Sequence, residues 1–196
     1  QRGYTVRLRY RSGGLFVFAL VFLLSASLNA KVIRVKWDSP TDGPGTSWPN
    51  AYRAVTSAIA AAVTGDQLWV AGDADHPYLE RITLKNGVML YGGFAGTESA
   101  LSQRNYTANV TILDGQEAGS VVTVPTGLFG NSGIDGLTIR NGKANYGGGL
   151  FCAQASPKIN NCSFTSNTAV YNGSGLCFSS AAPTLTGNSI TGNKQA

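Results

Sequence analysis

Three stretches of this 196-residue chain repeat one another at a nearly constant interval. Ile134 to Gly142 reads IDGLTIRNG, Ile159 to Asn167 reads INNCSFTSN, and Leu185 to Asn193 reads LTGNSITGN, at offsets of 25 and then 26 residues. The flanks keep the same register: GGLFCAQASP (Gly148 to Pro157) overlays SGLCFSSAAP (Ser174 to Pro183), with the glycine-leucine pairs and the prolines in step. Short segments divided by Gly and Asn are strand-and-turn composition. Leucine-rich and β-helix repeats both have periods near this length. The L-x-x-L-x-L scaffold of the former is missing, so the pattern predicts an all-β solenoid. Each coil holds two or three short strands and stacks them in parallel about 4.8 Å above the coil before.

Strand alternation then gives each residue a direction. Leu150, Cys152, Ile159, Cys162 and Phe164 are expected to point into the core, and Leu176, Phe178, Leu185 and Ile190 to continue their columns. Cys162 shares a column with Leu137 and Asn188, which makes it a small buried hydrophobe rather than a nucleophile. Cys177 overlays Phe151 and is expected to be the one exposed thiol. Asn167 and Asn193 recur at one corner, with Asn141 and Gly142 below them. Asn tolerates left-handed backbone angles and its amide bonds to turn backbone, so this column reads as architecture.

Upstream of the repeats the pattern changes. Residues 31–66 are expected to form a short strand (residues 32–37), a loop and an amphipathic helix over Pro49 to Thr64, capped at Ser47 or Trp48 and ended by Gly65. Tyr52, Val55, Ile59, Ala62 and Val63 would supply its apolar face. Residues 67–196 hold the coils. Residues 1–30 carry Arg2, Arg7, Arg9 and Arg11, then the apolar run Leu15 to Leu24 and the small-residue stretch SASLNA, the three-part pattern of a secretory signal peptide. Four of the fifteen basic residues and none of the ten acidic ones lie there, so the formal charge of +5 belongs to that segment. Nucleic acid is therefore dropped as a partner.

The motifs GGGL (Gly147 to Leu150) with FTSN (Phe164 to Asn167), then GSGL (Gly173 to Leu176) with ITGN (Ile190 to Asn193), resemble the GGA[ILV] and FxxN repeats of polymorphic outer membrane proteins and related secreted parallel β-helix proteins of pectate-lyase-like fold. Ser174 and Ile190 depart from that pattern. The resemblance implies a right-handed parallel β-helix whose N-terminal amphipathic helix caps the open end. It also implies a secreted, cell-surface or outer-membrane location, with a structural, adhesive or glycan-binding role toward an extracellular polysaccharide or cell-surface glycan. The alternative is the N-terminal part of a polysaccharide lyase or glycoside hydrolase. Because the chain stops at TGNKQA just after a complete motif, further coils and an anchoring domain are expected beyond it.

Chemistry is sparse on this reading. The outward charges of the coils are Asp135, Arg140, Lys143 and Lys158, and no second acid overlays Asp135, whose counterparts are Asn160 and Thr186. Hydrolysis needs paired carboxylates and proton abstraction beside a carboxylate needs a cation, so no catalytic residue is assigned. Asp73, Asp75, His76 and Glu80 lie in one loop that suits calcium at best weakly, since the ligand spacing of the EF-hand is missing. No metal ligand or other cofactor is assigned. Asp114 reads as a turn residue before Gly115. Sequons at Asn105, Asn109, Asn161 and Asn172 matter only in a glycosylating host.

Overall fold

The computed structural model describes residues 30–40 and 42–196; the expected signal segment, Ala30 apart, lies outside the described residues. The first coil opens with β1 (Val32–Val35) and returns through a 3-10 turn (Trp48–Asn50) and helix α1 (Val55–Ala61). The second holds β2 (Gln67–Ala71) and β3 (Ile82–Thr83), and the third β4 (Met89–Phe94), β5 (Thr111–Asp114) and β6 (Val122–Val124). The fourth carries β7 (Gly133–Asp135), β8 (Leu137–Arg140), β9 (Lys143–Tyr146) and β10 (Leu150–Ala153). The fifth carries β11 (Lys158–Asn160), β12 (Ser163–Thr165), β13 (Thr168–Asn172) and β14 (Leu176–Ser179). A partial sixth adds β15 (Thr184–Thr186), β16 (Ser189–Thr191) and β17 (Lys194–Gln195).

Among the described residues every strand pairing is parallel and joins successive coils, giving one six-stranded sheet, β1-β2-β4-β7-β11-β15, two four-stranded sheets and a three-stranded one. The chain is thus a parallel β-solenoid. Register turns the sequence repeat into columns: Ile33, Leu68, Leu90, Ile134, Ile159 and Leu185 stack one above another. A second column runs Leu113, Ile139, Phe164, Ile190, and a third Ile82, Val122, Leu150, Leu176. Phe164 is 0 % exposed, whereas Leu185 and Ile190 in the last coil are 46 % and 51 % exposed. Those two keep the expected register but lie uncovered on the terminal rung.

The corners explain the Gly and Asn content. Gly136, Asn161 and Gly187 overlay at one corner with φ of 73°, 50° and 65°, and Asn141, Ser166 and Gly192 at the next with 53°, 55° and 66°. Left-handed backbone costs an ordinary L-residue about 1–2 kcal/mol, which selects Gly and short polar residues here. The residue in the left-handed region is therefore the one before Asn167, not Asn167 itself. Asn167 and Asn193 contribute side chains instead. Asn167 Oδ1 accepts from Gly142 N–H (2.8 Å), and its Nδ2 donates to the Ile139 carbonyl (3.0 Å) and to Asn193 Oδ1 (3.0 Å). Asn193 Nδ2 then donates to the Phe164 carbonyl at 2.9 Å. Gly149 makes room for this ladder, since a Cβ there would collide with the Gly175 carbonyl and lie 2.9 Å from Asn167 Nδ2. The glycine of one motif and the asparagine of the other are spatial neighbours.

The N-terminal helix is shorter than its apolar periodicity predicts. Tyr52 is extended because its N–H donates to the Arg34 carbonyl and its carbonyl accepts from Lys36 N–H, so β1 captures this residue before a helix can. Neither Ser47 nor Trp48 caps α1. Its first N–H groups, Val55 and Thr56, donate to the two carboxylate oxygens of Glu80 at 2.9 Å each, and Thr56 Oγ1 adds a 2.6 Å bond. At the other end Lys85 Nζ donates to the Ala60 carbonyl at 3.0 Å. Acid at the N-terminus and base at the C-terminus match the helix dipole. Val55, Ala58, Ile59 and Ala62 are buried against the first coils, so the helix covers that end of the core.

Two substitutions test the columns. Phe164→Asp should abolish cooperative unfolding, because an unpaired charge at that site costs several kcal/mol against a total stability of about 5–15 kcal/mol. Asn167→Ala strands the Gly142 N–H and the Ile139 carbonyl and should cost about 2–4 kcal/mol in urea denaturation; a loss under 0.5 kcal/mol, within the usual scatter of surface substitutions, would remove the ladder from the account.

Candidate functional site

The six-stranded sheet presents two outward rows. One runs Arg34, Trp69, Tyr91, Asp135, Asn160, Thr186, and the other Val32, Gln67, Met89, Gly133, Lys158, Thr184. Gly133 interrupts the second row between Met89 and Lys158. A groove of about 310 Å³ lies over this part of the sheet, lined by Gln67, Met89, Tyr91, Asp135, Lys158 and Asn160 and edged by Asp66, Gly87 and Asn131. Lys158 Nζ donates to Asn131 Oδ1 at 2.7 Å and makes no ion pair among the described residues. The lower end of the first row is closed off: Trp69 stacks on Phe94 with ring centres 4.8 Å apart and lies under the Arg34 guanidinium at 5.5 Å.

Asp135 is not the free outward charge that alternation suggests. Its Oδ1 accepts from Arg104 Nη2 at 2.7 Å and from Asn161 Nδ2 at 3.0 Å, and both partners of the ion pair are largely buried. Arg104 also donates to the Gly92 and Asp135 carbonyls, and its guanidinium lies 5.2 Å from the Tyr91 ring centre and 5.5 Å from that of Tyr106. Burial raises the Tyr91 pKa and the Asp135 charge adds to that, while Arg104 opposes it. Tyr91 therefore meets the groove as a neutral hydroxyl. Sequence reading misses Arg104 because it follows a 3-10 turn (Leu101–Gln103) in a loop outside the repeat, 31 residues from its partner.

The other expected charges are tied up too. Asp114 is the last residue of β5, beside Arg140 in the next coil, and it also opens the turn that follows, as expected: its Oδ1 accepts from Gln116 N–H at 3.1 Å. Its Oδ2 accepts from Arg140 Nε and from Asn141 Nδ2, both at 2.8 Å. Lys143 pairs with Glu117 at 3.1 Å on the exposed surface. Burial pushes the Asp114 carboxyl up, but the bonds from Arg140, Gln116 N–H and Asn141 outweigh it and hold the pKa below the usual value.

The calcium-loop candidates do not converge. Glu80 caps α1, while His76 Nδ1 lies 3.0 Å from Asp73 Oδ2 and stacks flat on Trp37 with ring centres 3.7 Å apart. Among the described residues no three His, Cys, Asp or Glu side chains gather at one point. All three cysteines are free thiols; Cys152 and Cys162 are buried, and Cys177 is partly exposed beside Phe151. Burial pushes the Cys162 pKa up to about 12, which leaves the thiol protonated. Of the sequon residues, Asn105 accepts from Thr107 and Ala108 in a turn, Asn109 donates to the Gly93 carbonyl, Asn161 holds a corner, and Asn172 ends β13.

Stacked parallel strands and buried aliphatic columns define a β-helix domain, with a groove across one outer sheet. The chain belongs to the family described as protein of unknown function DUF1565, whose model matches residues 41–196. No curated protein and no solved structure matches the chain.

Two outcomes follow from the ion pairs. Arg104→Ala leaves Asp135 buried without its counter-charge and should cost about 3 kcal/mol in denaturation, with Asp135→Asn milder because the stranded Arg104 keeps its bonds to the Gly92 and residue 135 carbonyls and its place beside the Tyr91 and Tyr106 rings. Asp114, whose pKa is depressed by folding, contributes stability that is complete above the unfolded value of about 3.9 and is lost as pH falls through the lower folded value. The acid limb of a stability-against-pH curve should therefore be shallower in Asp114→Asn; identical limbs would show that the pair contributes nothing.

Proposed function

We propose that this chain is the β-helix module of an exported protein and that it holds an extracellular polysaccharide along the outer face of its six-stranded sheet. One observation carries this reading: Lys158, without an ion-pair partner among the described residues, stands in an open groove with Tyr91, Asn160 and Gln67. An extended ligand is favoured over a compact one because the groove crosses several coils. Amide and phenol groups offer hydrogen bonds to hydroxyls, and one free ammonium offers a point charge to a carboxylated or sulfated sugar. Binding is preferred to catalysis because Asp135, Arg104, Asp114 and Arg140 are committed to each other. The secretory pattern of residues 1–30 and the resemblance of the GGGL and FTSN motifs to surface-exposed β-helix proteins support the location.

The test is a glycan array of acidic and neutral oligosaccharides followed by calorimetry. An acidic oligosaccharide such as trigalacturonate should bind, with affinity falling as salt is raised. Lys158→Ala and Tyr91→Ala should each weaken it at least tenfold, or about 1.4 kcal/mol. Retention of no glycan at all, or affinity indifferent to both substitutions, would sink the reading.

A further inference from the structure

The sequence contains three Asn-Gly pairs: Asn86-Gly87, Asn141-Gly142 and Asn172-Gly173. The dipeptide carries a chemistry of its own. With no Cβ on the following residue, the main chain is free to bring the Gly nitrogen up to the carbonyl carbon of the Asn side chain. Ring closure needs two groups at liberty at once: the Asn amide, which must turn and lose ammonia, and the Gly N–H, which must lose its proton. A hydrogen bond to either holds the pair inert until the segment opens locally.

Two of the pairs are held at both groups. Asn86 Oδ1 accepts from Phe129 N–H at 3.3 Å, and Gly87 N–H donates to Ser132 Oγ at 2.7 Å. Asn141 Nδ2 donates to Asp114 Oδ2 and Gly142 N–H to Asn167 Oδ1, both at 2.8 Å. The third pair is held at neither. Asn172 is exposed, and its side-chain amide and the Gly173 N–H have no hydrogen-bond partner among the described residues. The ladder is irregular at this point, because from Ala169 to Asn172 strand β13 advances three residues while β9 advances two, from Ala144 to Tyr146. Such a bulge loosens pairing locally. Regular bonding resumes at Ser174, whose carbonyl accepts from Gly149 N–H at 2.9 Å.

We propose that Asn172 is a site of spontaneous deamidation, converted after synthesis to a mixture of aspartate and isoaspartate. The co-reactant is water, with hydroxide as the base. Hydroxide takes the Gly173 amide proton, the nitrogen attacks Asn172 Cγ, and the Cγ–Nδ2 bond breaks as ammonia leaves with a proton from water. Water then opens the succinimide. Attack at the side-chain carbonyl gives an aspartate in a normal main chain, and attack at the main-chain carbonyl gives isoaspartate, whose main chain runs through Cγ. In sum an amide and water become a carboxylate and ammonium, with nothing oxidised or reduced. The product changes a surface. Asn172 lines a second concavity of about 360 Å³, away from the sheet groove, with Tyr146, Phe151, Cys177, Phe178 and Ser179. No acidic or basic residue lines it, so conversion gives it its first carboxylate. The site is independent of the sheet groove and of Lys158.

The full chain is kept at neutral and at mildly alkaline pH, native and in urea, and the mass gain of amide-to-acid conversion is mapped to each pair by peptide mass spectrometry. In the native chain position 172 should convert at least tenfold faster than positions 86 and 141, faster at the alkaline pH, and as two products separable by chromatography. In urea the three rates should fall within threefold of one another, since identical dipeptides then differ only in their neighbours. Asn172→Gln, whose cyclisation requires a larger ring, should remove the native signal and keep the circular dichroism melt. Asn172 that stays amidated in the native chain while converting in urea overturns the proposal. So does native conversion of Asn86 or Asn141 at the same rate, and so does aspartate formed without isoaspartate, which replaces ring closure by direct hydrolysis.

Discussion

In-register parallel stacking is the constraint on which the rest of this molecule depends. A coil cannot bury its inward face by itself; it does so against the coil above and the coil below, and the same contact satisfies its backbone groups. A residue is therefore placed by its partner about 25 positions away more than by its immediate neighbours. Ile159 is buried because Ile134 lies below it and Leu185 above. Asn167 is bonded because Gly142 and Asn193 occupy the same corner.

The same rule governs the polar residues. Asp114 and Arg140 meet because register sets them side by side. Asn161 reaches Asp135 because successive corners overlay. Ion pairs and amide ladders run along the axis, across coils, where they add specificity to apolar columns that would tolerate slippage. The outer faces are left with the side chains that the axis does not use, and the two concavities differ in charge for that reason.

The fold was legible in the sequence wherever the repeat could be overlaid. The inward positions of Leu150, Cys152, Cys162 and Phe164 follow from alternation and offset alone, and so does the pairing of Phe151 with Cys177. Legibility failed where a residue answers to something outside the repeat. Tyr52 has helical periodicity but belongs to β1, and Asp135 alternates outward but is covered by Arg104 from a loop that obeys no period. Asp114 was recoverable, since its distance to Arg140 is one coil. The groove itself was not, because Tyr91 and Lys158 become neighbours only through several rungs of register, beyond the coils where the motif is visible.

The helix at the first coil has a consequence for how the chain assembles. Seven residues make a helix that is marginal in water by itself. Both of its ends are secured by side chains that come later, Glu80 and Lys85. The lid therefore gains the bonds at both its ends only when the second coil has been delivered. A chain emerging from its N-terminus completes those bonds only once residue 85 is free, so full stabilisation of the lid is timed by length rather than by the order in which its elements appear.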